Sequence, residues 1–404
     1  MAKLFKAEKP SSAQIVASID DLLIEIIKRL PMKKIVQFKL VSKHWDSIIM
    51  DTKLCLLQNQ LSAVGLIFEA YKALDSYIIF LDKSISPLVR NMTRINDTWY
   101  QHCKIIHSCN GLLLCVSNPA PNLSQRYYVC NPTTKKYITL PKVVFDHGRV
   151  SIRGMYLAFD PSKSPHYKVV CLLRSSRDWL HLFDVYSSET RSWKKGTKLF
   201  SANVRFDIED GVYWSGAIHW VNVVTKPREF IYFSLDCDQT PKKFPKPPLQ
   251  DDKEYNRSSY YFGESCDHLH FVDAHRELDE FIVYEMKRDY SEWFVKFIVS
   301  VPEIQRDYSE WDYSEWLVKH KANNENSYES FYKYKVSVQV DTVVRGENDE
   351  DSFLVIETSR RIARYNLKQK SCETLCDIKS VVGDRWVYWG SKCPFQYIKS
   401  ICSV

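Results

Sequence analysis

Nowhere in this 404-residue chain does an apolar run approach the roughly 18 residues of a membrane-crossing helix. The opening stretch MAKLFKAEKPSSAQIVAS also has no apolar core of signal-peptide length, so neither export nor a membrane span is expected. The sequons at Asn91, Asn96, Asn122 and Asn256 then never meet the glycosylation machinery. Glycine is scarce, 11 residues with no Gly-Gly pair, which is sparse for a regular glycine-punctuated β repeat. The signatures of catalysis are missing too: there is no phosphate-cradling GxxxxGK[ST], no GxSxG nucleophile elbow and no HExxH helix. Acidic pairs at Asp20-Asp21, Asp251-Asp252 and Glu350-Asp351 read as caps and loops. A non-catalytic protein without cofactor or metal is expected.

Twelve cysteines are present but scattered, without the paired spacing of a zinc finger. In a chain with no secretory signal they are expected to be reduced thiols, and a cytoplasmic and/or nuclear location follows as an expectation. The densest group, His102, Cys103, His107 and Cys109, lacks a second matching pair and reads as packing, as do Cys372 and Cys376. The 56 basic and 49 acidic residues leave a mild +7 dispersed along the chain, with no nucleic-acid reading motif.

What the chain does have is a compact helical stretch, SIDDLLIEIIKRLPMKKIVQFKLVSKHWDSII, at residues 18–49. Ser18 is expected to cap a helix, with Asp21 completing a capping box and Asp20 and Asp21 favouring the positive end of the dipole. Leu22, Leu23, Ile26, Ile27 and Leu30 recur at helical spacing in two adjacent rows, and Pro31 forbids continuation. Ile35, Phe38, Val41, Trp45, Ile48 and Ile49 follow at similar spacing, with Ser42 placed to cap a further short helix. So short a segment has more apolar surface than it can hide by itself, because domains below about 40 residues usually stand only with disulfides, metals or association. Lys28, Arg29, Lys33, Lys34, Lys39 and Lys43 would steer a partner with acidic rims toward it; an ordinary solvated basic face would look the same.

Beyond about residue 60 the helical period gives way to short aromatic and β-branched runs between turn residues. Examples are Gly65–Phe68, Tyr77–Leu81, Gly111–Val116, Tyr127–Cys130, Lys168–Leu173, Leu182–Tyr186, Val212–Val221, Phe230–Leu235, His268–Val272, Phe281–Tyr284, Phe353–Glu357 and Ile362–Asn366. A recurring unit of strand, polar turn and bulky residue starts its turns at 131, 187, 236, 286 and 366. Those starts lie 56, 49, 50 and 80 residues apart, a spacing of propeller blades with one interval too long. Within the long interval Arg288-Asp-Tyr-Ser-Glu-Trp293 returns as Arg306-Asp-Tyr-Ser-Glu-Trp311 and again as Asp312-Tyr-Ser-Glu-Trp316, which reads as a tandem loop insertion over 288–330. Three exposed Tyr/Trp pairs forming a partner-binding loop is the sharper alternative. Pro241–Asp252 reads as a surface loop between blades, a basic peptide-binding patch being the sharper alternative. The segment at Phe395–Cys402 is expected to close the ring beside the first blade.

The N-terminal residues resemble the F-box of plant F-box proteins. Asp20-Asp21, the helix Leu22 to Leu30, Leu30-Pro31, the basic-apolar run Lys33 to Phe38, and Val41-Ser42-Lys43-His44-Trp45 follow its pattern. Ile19-Asp20 departs from the usual Leu-Pro and Ser42 from the usual cysteine, and neither change removes an apolar anchor. His107-Ser-Cys109-Asn110-Gly111-Leu-Leu113, Cys130-Asn131-Pro-Thr133, Val344-Arg345-Gly346-Glu347 and Asp351-Ser-Phe-Leu resemble phrases of the F-box-associated domain, a kelch-like β-propeller in form.

The fold expected is α+β and multidomain: a flexible tail at 1–17, a small helical F-box at 18–58, and a large all-β propeller-like domain at 59–404. A joint near Met50–Gln60 without a Gly/Ser-rich run is expected to be stiff. The resemblance implies a non-catalytic substrate-recognition subunit of an SCF-type cullin ubiquitin ligase. Leu22, Leu23, Ile26, Leu30, Pro31, Ile35, Val41 and Trp45 would contribute to the surface that docks a Skp-type adaptor, and through it cullin, while the β-domain captures a target protein. The alternatives are a helical hairpin packed on the rest of the chain, a stand-alone propeller scaffold that binds protein or glycan, and a propeller hydrolase with carboxylates converging on its channel.

Overall fold

The computed structural model describes residues 12–30, 35, 38, 41–50, 63–69, 76–82, 89–91, 103–117, 125–144, 150–175, 180–201, 211–222, 228–236, 240–248, 260–275, 280–300, 338–346, 348–357, 361–377, 394–400, 402 and 404. The described residues open with helices α1 (Ser12–Ala17), α2 (Asp20–Lys28) and α3 (Lys43–Met50), and Ile35 and Phe38 between α2 and α3 are helical as well. The expected tail at 1–17 therefore contains a helical turn and a half. Strands follow as consecutive antiparallel meanders.

Blade 1 holds β1 (Gly65–Glu69), β2 (Ser76–Phe80) and β3 (Val89–Asn91). Blade 2 is β4 (Cys103–Cys109), β5 (Leu112–Ser117), β6 (Tyr127–Asn131) and β7 (Lys136–Thr139). Blade 3 is β8 (Val150–Ala158), β9 (Lys168–Ser175), β10 (Leu180–Ser187) and β11 (Ser192–Lys194), with β12 (Phe200–Ser201) also on β10. Blade 4 is β13 (Val212–Trp214), β14 (Ala217–Asn222), β15 (Glu229–Ser234) and β16 (Lys242–Phe244). Blade 5 is β17 (Tyr260–Ser265), β18 (His268–His275), β19 (Glu280–Met286) and β20 (Trp293–Ser300). Blade 6 is β21 (Gln339–Val344), β22 (Phe353–Glu357), β23 (Arg361–Asn366) and β24 (Ser371–Asp377).

The final strand, β25 (Phe395–Tyr397), pairs with β1 so that the first sheet reads β25-β1-β2-β3. The first strand of each sheet touches that of the next, in the order β25, β4, β8, β13, β17, β21. These six sheets are the blades of a β-propeller whose inner ring is completed by the C-terminal strand. The closing strand lies inside the first blade, as its innermost member.

One hydrophobic cluster fills each seam between neighbouring blades. Ile67, Phe80, Leu113 and Cys130 join blades 1 and 2. Tyr156, Phe183, Trp220 and Phe233 join blades 3 and 4, with Phe183 and Phe233 ring centroids 4.1 Å apart. Phe230, Phe244, Phe271 and Trp293 join blades 4 and 5. Val283, Val299, Leu354 and Ile356 join blades 5 and 6, and Phe68, Ile79, Val355 and Ile362 close the circle from 6 to 1. No blade buries its faces alone, which is why a ring of short strands is stable where an isolated hairpin is not.

The turns account for the scarcity of glycine. The two-residue turns from first to second strand, Asn110-Gly111, Ser215-Gly216 and Cys266-Asp267, have both residues at positive φ, the geometry that matches the twist of a hairpin. Turns from third to fourth strand end on a left-handed Lys135, Arg191 or Lys370, directly before the next strand pairs. The turn starts at 131, 187, 236, 286 and 366 all fall at this third-to-fourth position.

Several expectations are corrected. Val212–Val221 is two strands, because Ser215 and Gly216 turn the chain back on itself between β13 and β14. Part of Pro241–Asp252 is the outer strand β16, and the carbonyl of Pro245 beyond it accepts from the Trp293 indole of the next blade at 2.8 Å. In the first Tyr-Ser-Glu-Trp copy the turn is exposed but its aromatic pair is not: Trp293 is buried and begins β20, and the Tyr290 hydroxyl lies 2.8 Å from His219 Nε2. The copies at 306–316, the tract 321–330 and the joint after Met50 lie outside the described residues.

Candidate docking surface

Ser18 does not cap α2. It ends the preceding turn, where its hydroxyl donates to the Ile15 carbonyl at 2.7 Å, and the N-cap of α2 is Ile19 with no side-chain bond. Asp20 and Asp21 do occupy the first turn, where the exposed helix N–H groups favour negative charge. The helix stops at Lys28, and Pro31 lies outside the described residues. Ser42 caps α3 as its position requires, its Oγ accepting from the Trp45 N–H at 3.1 Å. His44 Nε2 on α3 lies 3.0 Å from Asp20 Oδ1 on α2, and the Phe38 and Trp45 rings meet at 5.3 Å. The ion pair is exposed and contributes little; the rings and isoleucines hold the helices.

The two apolar rows of α2 separate sharply. Leu23 and Ile27 are 1% and 0% exposed, and they join Ile35, Ile48 and Ile49 in the cluster that fills the seam between blades 2 and 3. Leu22 and Ile26, one residue away in each case, are 45% and 41% exposed, and Val41 is 57% exposed. Leu30 and Trp45 are half-buried against the same cluster. Of the residues assigned to docking, Leu22, Ile26 and Val41 thus present an open face. Leu23 and Ile35 are buried in the chain by itself. Ile15 on α1 and Ile19 before α2, absent from that assignment, are also exposed.

The recurring phrases of the β-region are joints. His107 is buried on β4, its Nδ1 accepting from the Leu157 N–H at 3.2 Å and its Nε2 donating to the Gly211 carbonyl at 2.7 Å, so one imidazole ties blades 2, 3 and 4. Burial holds its pKa down at about 4, and the Gly211 bond opposes this only in part. The Asn110 amide donates to the Phe159 carbonyl at 2.7 Å. At Gly111, where φ is +88°, a Cβ would fall 2.4 Å from Ser400 Cβ. Asn131 is fully buried: its amide N–H groups reach the carbonyls of Ser400 at 3.0 Å and Cys402 at 2.8 Å, while its Oδ1 accepts from Thr133 and Thr134. Arg345 reaches Asp349 at 2.6 Å and lies 3.7 Å from Glu285, which also holds His268 at 2.9 Å.

Burial raises the Cys103 thiol to about 11 and pushes Cys109 higher still. Neither is poised as a nucleophile. The described cysteines are free thiols, and among the described residues no three His, Cys, Asp or Glu side chains gather to hold a metal. His102 lies outside those residues. No described helix is long and apolar enough to cross a membrane.

A short helical segment with an open apolar row, followed by a six-bladed propeller, defines a class in which a helical module precedes a β-scaffold. Comparison with known families places this chain within that class. Residues 20–57 match the F-box domain, and residues 67–239 match the F-box associated beta propeller domain. The chain therefore carries an N-terminal F-box domain and an F-box-associated β-propeller domain, which the structure continues beyond the matched span to the closing strand at Tyr397. The F-box protein At5g07610 of Arabidopsis thaliana is 29% identical over 98% of this chain and 94% of its own length. F-box protein At5g49610 of the same plant is 29% identical over 50% of this chain and 57% of its own length.

Proposed function

We propose that this protein is the substrate-recognition subunit of an SCF-type cullin ubiquitin ligase. Its helices dock a Skp-type adaptor, and its propeller captures a protein to be ubiquitinated. It works as a receptor in the cytoplasm and/or nucleus and breaks no bonds itself. The observation that carries this reading is the split on α2, where Leu22 and Ile26 stay exposed while Leu23 and Ile27 are buried. An apolar row left open beside a buried one is stabilised only when another polypeptide covers it, at about 25 cal/mol per Å² of apolar area removed from water. Val41 is exposed as well, and Leu30 and Trp45 are half-buried against the cluster that takes in Leu23 and Ile27. Buried joints at His107, Asn131 and Arg345 leave target recognition to the loops of the ring, where receptors on rigid scaffolds carry their specificity.

The test is reconstitution. Purified full-length protein is mixed with a Skp-type adaptor and cullin and resolved by size exclusion. A single co-eluting complex is expected, and elution of the chain apart from the adaptor at micromolar concentrations would sink the proposal.

A further inference from the structure

The connection from β21 to β22 differs from its counterparts in the ring. Blades 2, 4 and 5 join their first two strands through two residues, whereas in blade 6 the first strand ends at Val344 and the second begins at Phe353, leaving eight residues, 345–352, between them. This arm carries an exposed single turn of 3-10 helix at Asp349–Asp351 and lies against blade 5. The Arg345 N–H donates to Ser265 Oγ at 3.0 Å and fixes its root, while Lys296 on β20 reaches Asp349 at 3.0 Å and holds its far end. Arg345 ties the two together: its Nη1 bonds Asp349 at 2.6 Å, and its Nε lies 3.7 Å from Glu285 Oε2 on β19.

Glu285 is a contested group. It is 5% exposed, and its Oε1 accepts from His268 Nδ1 at 2.9 Å. Its Oε2 stands between His270 Nε2 at 3.4 Å and Arg345 Nε at 3.7 Å and is hydrogen-bonded to neither. The His270 ring is fully buried. Among the described residues it meets Glu285 from β19, His268 on its own strand and Arg345 from blade 6; its ladder partner on β17 is Gly263, Lys296 on β20 is turned to Asp349, and Asp267 is taken by Arg288 at 2.6 Å. Burial holds the His270 pKa below the ordinary 6.5, with Glu285 opposing and His268 and Arg345 adding to the fall. The docked arm therefore goes with a neutral His270, so docking is complete above pH 6.5 and weakens as pH drops below it.

Protonation changes the count of charges around one buried carboxylate. With both imidazoles charged, three cations surround Glu285, and His270 becomes a charged donor in competition with Arg345 for Oε2. The apolar seam of Val283, Val299, Leu354 and Ile356 does not titrate, so the blades stay together. The arm has less to hold it. Once Arg345 is displaced, the Lys296–Asp349 pair is left, and Asp349 is half-exposed, where an ion pair contributes little.

We propose that the arm at 345–352 is a pH-gated element, docked on blade 5 at neutral pH through the Arg345–Glu285 and Lys296–Asp349 pairs and released when His268 and His270 become imidazoliums and draw Glu285 away from Arg345. The two-residue turns of blades 2, 4 and 5 have no such freedom. The gate is independent of the adaptor-docking reading above.

The experiment is hydrogen–deuterium exchange of the full chain between about pH 7 and pH 5, read on peptides covering the arm and corrected for the intrinsic pH dependence of amide exchange. Protection of the wild-type arm is expected to fall at least about fivefold over that range, while that of β19 and β22 holds. In His270→Gln, whose side chain does not titrate, the fall is expected to shrink below about twofold. Thermal melts check that the variant is folded. If it is not, Asp349→Asn on the exposed arm takes its place, and is expected to lower protection at neutral pH to the value the wild type reaches in acid. Wild-type protection that does not change with pH, an equal fall in folded His270→Gln, or an Asp349→Asn arm protected as in the wild type overturns the gate.

Discussion

Asn131 shows how one side chain does the work of closure. Its buried amide holds the carbonyls of Ser400 and Cys402 while its oxygen shapes the turn at Thr133 and Thr134. Asn131→Ala leaves two buried carbonyls without those donors, and is expected to destabilise the propeller by about 2–4 kcal/mol, read as a lowered denaturant midpoint at unchanged slope. His107 gives a pH signature. Its folded pKa of about 4 lies below the ordinary histidine value of 6.5, so the folded state binds fewer protons than the unfolded state between those values. Its contribution is complete above pH 6.5 and falls, by up to roughly 1.4 kcal/mol per pH unit, as pH drops toward 4. The stability difference between wild type and His107→Gln, measured by urea titration at a series of pH values, is therefore expected to shrink between pH 6.5 and 4. A difference constant across that window would show that the imidazole does not resist protonation. Neither role was legible in the sequence, where both residues stood inside family phrases: a buried hydrogen bond spanning 104 residues, His107 to Gly211, leaves no local periodicity.

At the scale of elements, α2 was legible as a helix with two apolar rows, but not as a helix with one row in and one row out. Spacing alone gives Leu22, Leu23, Ile26 and Ile27 equal standing; which row faces inward is set by what packs beneath it. The two rows separate in mutation. Leu23→Asp places a charge in the seam cluster and is expected to unfold the segment, seen as a fall of several degrees in Tm. Leu22→Asp adds a charge at an exposed position and is expected to leave Tm within about 0.5 kcal/mol equivalent of wild type. The strands show a parallel asymmetry. Second strands such as β5 and β22 are nearly continuous apolar runs bounded by turns, and were readable. The innermost strands β4, β8, β17 and β21 mix apolar residues with Lys104, Arg153, Glu264 and Asp341, so no period of two stood out. Glycine scarcity argued against a regular propeller for a related reason: Asn110, Lys135, Arg191, Ser215 and Lys370 fill left-handed positions where glycine is the usual choice.

The whole molecule is a ring completed from its far end, with the helical segment packed at one seam. Removal of residues 394–404 takes away β25 and with it the inner strand of blade 1 and the anchor for Asn131. The truncated chain is expected to lose its single cooperative thermal transition and to be cut by trypsin in blade 1 at concentrations that spare the full chain. A truncated protein with unaltered melting would refute closure by that strand. The blade spacing, the turn positions and the closing segment were all present in the sequence, since they depend on local turn chemistry repeated along the chain. Blade number was not, because the 80-residue interval between the turns at 286 and 366 spans, among the described residues, a single blade boundary.

The central claim is that an open apolar row on α2 is finished by an adaptor, and calorimetric titration of a Skp-type adaptor into the full chain tests it most directly. Wild type is expected to bind with a measurable heat, and Leu22→Asp combined with Ile26→Asp is expected to weaken binding at least about 30-fold, roughly 2 kcal/mol, with Tm preserved. Equal affinity for the folded double variant, or no heat with the wild type, would contradict the account.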